Sequence, residues 1–114
     1  MGEVKNMREI KESDWKILKK LHPVALERFC EKVLEEIDSI KSDSTKSFHK
    51  KYLDIYDLTR RRDREMARIF DNPRRSVALG QLTQMKASGL VTEEELSHFS
   101  QETRDRVEVL LGIR

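Results

Sequence analysis

The residues best equipped for chemistry in this chain are arginines. Arg60, Arg64 and Arg68 recur at four-residue steps, with Arg61 beside them and Arg74 and Arg75 close behind. On a helix that spacing makes one stripe, and a stripe of guanidinium groups can follow a phosphate backbone. Residues 46–75 hold ten Lys/Arg against five Asp/Glu, while the whole chain is only +2, so the basicity is concentrated there. The stripe is partly neutralised, because Asp57 lies three and four residues before Arg60 and Arg61, and Glu65 three before Arg68. No Gly-rich loop accompanies it, and few aromatics interleave with it on the same face. A solvated or intersubunit salt-bridge face therefore competes with nucleic-acid contact through Arg60, Arg61, Arg64, Arg68, Arg74 and Arg75.

Other chemistry-bearing groups carry less. Glu95 and His98 have the E-x-x-H spacing of carboxylate-bridged metal sites, but such sites need a second motif, and neither His22 nor His49 has a Glu three residues earlier. The single Cys30 sits with Phe29, Val33 and Leu34, and its neighbours Glu27 and Glu31 disfavour a thiolate. It reads as a buried, inert thiol. A helix-turn-helix about Gly89 fails on charge, since its reading helix would open with Glu93, Glu94 and Glu95. No Walker loop, nucleophile elbow or paired zinc motif occurs. The expectation is a non-enzyme with no cofactor and no metal.

Tyr52 and Tyr56, with His49, form a polar-tipped aromatic group next to the basic stretch. Core packing with the hydroxyls at the edge is one reading. The other is a binding surface, because aromatics and arginine are enriched at interface hot spots.

The element that must carry both groups is one helix over about 45–71, free of Gly and Pro and about 40 Å long if unbroken. Its apolar residues form two groups, Phe48, Tyr52, Ile55 and Tyr56, then Met66, Ile69 and Phe70. Between them Thr59 to Glu65 has no apolar side chain, so the waist must be wet or paired with charge from elsewhere. The pattern mirrors about Thr59. Either helices of the same chain cover each group, or the helix pairs antiparallel with a second copy across a two-fold axis. The candidate protein interface is Tyr52, Ile55, Thr59, Arg62, Met66 and Phe70.

Around this rod the rest reads as short helices. Val4, Met7 and Ile10 could extend a helix or fray, so residues 1–12 are set apart as a candidate flexible segment. Ser13 is a candidate N-cap with Asp14 in the first turn, and His22-Pro23 should end that helix. A second, strongly amphipathic helix should run from Pro23 to about Ser42. Asn72 should cap the next, with Pro73 in its first turn, and Gly80 within it suggests a close helix crossing. Gly89 reads as a left-handed C-terminal cap with Leu90 folding back on Met85. Thr92 and Glu95 make a capping box, with Val91 and Leu96 as its hydrophobic staple. A kink near Ser100 could divide residues 92–111 in two.

The segment Leu79–Leu111 resembles the short helical hairpins of the SHOCT type found at the ends of many bacterial proteins. The likeness rests on Leu79, Leu82, Gly89, Leu90, Val91, Thr92, Glu94, Glu95 and Leu96, less than a third of the chain, and implies no function.

The 114 residues are 39% charged and 37% hydrophobic, with four Gly and two Pro, which suits one all-α domain of five or six helices. No run approaches the roughly 18 apolar residues of a membrane span. With no apolar signal core at its start and a single cysteine, the chain is expected to be cytoplasmic. The reading is a non-catalytic protein–protein interaction or regulatory module, self-associating as a homodimer through the long helix. The alternative is a nucleic-acid-binding accessory protein using the arginine stripe.

Overall fold

The computed structural model describes residues 9–112. Among them are five α-helices and no strand: α1 (Glu12–Lys41), α2 (Phe48–Phe70), α3 (Ala78–Ala87), α4 (Glu93–Ser97) and α5 (Gln101–Leu110). The all-α expectation holds. Of the segment 1–12, Ile10 is buried and its carbonyl accepts from Arg75 Nε at 2.7 Å. Val4 and Met7 lie outside the described residues.

The longest helix is α1, because Pro23 does not end it. Leu18, Leu21, Ala25 and Phe29 are buried on one face, two on each side of the proline. Packing along that face outweighs the hydrogen bond that proline removes. Pro23 itself is exposed. His22, just before it, donates from Nε2 to the Phe70 carbonyl at 2.9 Å, and its ring meets Phe70 edge-on at 5.3 Å. Lys11, not Ser13, stands at the start of α1, and no side chain caps it.

α2 begins three residues later than 45, at the cap that Ser47 supplies by accepting from the Lys50 amide at 3.1 Å. Thr45 belongs instead to the turn, where its amide and hydroxyl both donate to Asp43. From there α2 runs unbroken to Phe70. It lies antiparallel to α1: Lys51 Nζ donates to the Lys41 carbonyl, Arg62 pairs with Glu36, and Phe70 meets His22.

α3, α4 and α5 close the far end of this hairpin. Asn72 is not a helix cap; it takes a left-handed conformation (φ 48°), a turn covers Arg74 to Val77, and α3 starts only at Ala78. Gly80 sits at no crossing, since a Cβ built there meets nothing within 4 Å. Gly89 (φ 73°) closes α3 as expected, with Leu90 N donating to Met85 O at 2.9 Å and Gly89 N to Lys86 O at 3.0 Å. The Thr92–Glu95 capping box is present. Ser100 begins a separate α5, accepting from the Thr103 amide, so residues 92–111 form two helices.

The core joins Ile10, Leu18, Phe29, Ile69, Leu82, Met85, Leu90, Phe99 and Val107. All of it lies toward the closed end. The molecule measures 66 × 25 × 25 Å with a radius of gyration of 17.5 Å, against about 13 Å for a compact domain of this size. The excess is the uncovered tip of the α1–α2 hairpin. There Leu58 is buried between the two helices but stands apart from the main core.

Candidate functional site

The tip exposes apolar side chains that a solvated helix has no use for. Phe48 is 87% exposed, Tyr52 67% and Tyr56 58%, with Leu53 also open to solvent. The three aromatics stand four residues apart, and the same row continues through Arg60, Arg64 and Arg68, all exposed. One ridge of α2 is therefore aromatic toward the tip and cationic toward the base. Each four-residue step turns the row by about 40°, so Tyr52, Tyr56, Arg60 and Arg64 share a face while Phe48 and Arg68 fall to opposite flanks. Cations already stack on the rings: Arg60 Cζ is 5.7 Å from the Tyr56 centroid and Lys51 Nζ 5.4 Å from that of Phe48.

The candidate interface residues divide between two sides of α2. Tyr52 and Thr59 are exposed, and Thr59 Oγ1 turns back to the Ile55 carbonyl at 2.8 Å. Ile55 is half-buried, Met66 packs against the core, and Phe70 is buried within it. Arg62 faces α1 of the same chain, with Nε donating to Glu36 Oε1 at 2.9 Å, Nη2 to Glu36 Oε2 at 2.8 Å and Nη1 to Glu65 at 2.9 Å. The ionic waist thus finds its counter-charge within the chain. Arg62 holds the Glu36 carboxyl below its ordinary range, against a smaller opposing effect of burial.

The arginines also separate. Arg61 pairs with Asp57 at 3.4 Å. Glu65 neutralises Arg62 rather than Arg68. Arg75 is half-buried and spent on the Ile10 carbonyl. Arg64, Arg68 and Arg74 are exposed and make no ion pair among the described residues.

Glu95 and His98 line one groove of about 430 Å³ with Ile17, Lys20, Leu21 and Val24. The Glu95 carboxylate is already occupied: Arg28 grips it with two bonds of 2.6 and 2.9 Å, and the Thr92 amide adds a third. These donors, Arg28 foremost, pull its pKa down to about 2 against the opposing effect of burial. Among the described residues no group of three or more His, Cys, Asp or Glu converges on a common point. Cys30 is half-buried rather than sealed in the core.

Two features of the structure were not read from the sequence. Asp14 is no first-turn ornament; it is 1% exposed and accepts from Ser100 N, Ser100 Oγ and Thr103 Oγ1 at 2.6–2.8 Å. The continuity of the aromatic and arginine groups was present at four-residue spacing, but only the direction of the packed face shows that both halves point outward.

No helix among the described residues is long and apolar enough to cross a membrane. No family model, no curated protein and no solved structure matches the chain. The likeness of Leu79–Leu111 to SHOCT hairpins therefore stays at the level of helix-cap chemistry.

Proposed function

We propose that this chain is a non-catalytic protein-interaction module whose working part is the outward ridge of the α1–α2 hairpin. The observation that carries the reading is the exposure of Tyr52 and Tyr56 on a protruding helix whose opposite face is already packed and ion-paired. Exposed aromatics beside arginines match the residue types that dominate binding energy at interfaces. The Glu95 carboxylate, which shares a groove with His98, is held by Arg28 in an ion pair.

A photo-activatable amino acid in place of Tyr52 tests this, with Gln84, exposed on α3, as the control position. Protein adducts should form from position 52 and not from 84. The same adducts from both positions, or none from 52, would remove the reading. The second reading, a nucleic-acid-binding accessory protein, draws on Arg64, Arg68 and Arg74, which no acid neutralises among the described residues. Adducts to nucleic acid would favour it.

A further inference from the structure

We infer that the partner of this ridge is a second copy of the chain, crossing it antiparallel so that the tyrosines of each copy stack on the arginines of the other. The inference rests on the ridge being the binding face, and adds who binds and in what register.

The row on α2 is self-complementary. Tyr52 and Tyr56 on one side, Arg64 and Arg60 on the other, are mirror positions about residue 58. A two-fold axis through that point sets Tyr56 opposite the Arg60 of a second copy and Tyr52 opposite its Arg64. An isologous contact of this kind closes on itself and gives each of these four side chains a partner. Both surfaces are rows of side chains at four-residue spacing, and such rows interdigitate when helices cross at about −50°. That crossing confines the contact to about three turns, roughly the span from Tyr52 to Arg64.

The chemistry is rehearsed within one chain, where Arg60 already lies over Tyr56. Exchange between copies would keep that contact while removing more of the ring from water. The axis passes on the side of α2 away from α1, because Leu58, Arg62 and Ile69 hold the inward side. Pairing therefore demands no rearrangement of the hairpin. Nucleic acid fits this face less well: Asp57 and Asp63 are exposed alongside the arginines and would meet phosphates with like charge. The facing area is small, which points to reversible association at roughly micromolar concentration rather than an obligate dimer.

Sedimentation velocity from about 1 to 500 µM tests this on the full chain and two double variants. Tyr52→Ala/Tyr56→Ala lacks the rings, and Arg60→Ala/Arg64→Ala lacks the cations. All four side chains are exposed, so both variants should keep the wild-type helical circular dichroism. The wild type should dimerise, each variant alone should associate at least about tenfold more weakly, and a mixture of the two should recover part of the association, since a mixed dimer restores two of the four stacking pairs. A wild type monomeric throughout overturns the self-pairing. Adducts from position 52 to another protein would then still uphold the interaction module. Dimers indifferent to both variants, or variants that fail to complement, overturn the register. A monomer that sediments with a labelled single-stranded oligonucleotide at about 50 mM salt overturns the choice of partner.

Discussion

Arg62 of α2 and Glu36 of α1 share a two-pronged contact, Nε to Oε1 at 2.9 Å and Nη2 to Oε2 at 2.8 Å. It stands where the main core ends and the bare hairpin begins. Beyond it the only fully buried apolar residue is Leu58, so the pair clamps a tip with little hydrophobic support.

Breaking the clamp should loosen the tip before it unfolds the molecule. Arg62→Ala should cost about 1 kcal/mol, because both partners are part-exposed and screened. Amide exchange should accelerate over residues 37–41 and 48–58 more than in α3 or α5. A double-mutant cycle with Glu36→Ala should show coupling of the same size. Uniform acceleration across all helices would contradict this.

Acid should weaken the fold through carboxylates held ionised. Glu95 has a folded pKa of about 2 against an ordinary 4.5, so the stability it supplies is complete above about pH 4.5 and is lost as pH falls through about 2. Asp14 acts in the same direction: burial pushes its pKa up, but the hydroxyls of Ser100 and Thr103 and the Ser100 amide outweigh that and hold it below its ordinary value. Glu95→Gln should cost about 1–2 kcal/mol at pH 7, discounted because the side chain is a quarter exposed. Its deficit should shrink toward zero near pH 2. Denaturant melts at several pH values would show it, and a deficit independent of pH would refute it.

Asp14 ties the start of α1 to the start of α5. Asp14→Ala strands three donors at a buried position and should cost about 2–4 kcal/mol, while Asp14→Asn should cost less because its one carbonyl oxygen still accepts from the Ser100 amide. Thermal unfolding of both variants checks the order.

Two glycines should respond with opposite sign. Gly80→Ala should stabilise by about 0.5–1 kcal/mol, since an added Cβ meets nothing and the helix gains a better former. Gly89→Ala should destabilise by about 1 kcal/mol, because φ is 73° and the new Cβ would sit 3.0 Å from Lys32 Nζ. Lys32 itself caps α3 by donating to the Ser88 carbonyl at 2.9 Å.

Several signals confined to one turn of chain were legible in the sequence, although the caps expected at Ser13 and Asn72 did not form. The Thr92–Glu95 box, the Gly89 cap and the break at Ser100 depend on residues within a few positions of one another. What else failed depended on distant partners. Pro23 stays helical because Phe29 and Leu18 pack across it. Asp14 finds its partners more than eighty residues away. The two apolar groups of α2 were correctly separated by an ionic waist. Which of them the chain covers was not legible: Ile69 and Phe70 enter the core, while Phe48, Tyr52 and Tyr56 do not.

The outward ridge is also the part most open to direct observation, because Tyr52 and Tyr56 are the chain's only tyrosines. Fluorotyrosine incorporated at both positions gives ¹⁹F resonances from that surface alone. As protein concentration rises through the micromolar range, both lines should shift, and Arg60→Ala/Arg64→Ala should hold them still. Two lines that keep their free, solvent-exposed positions at every concentration would contradict the account.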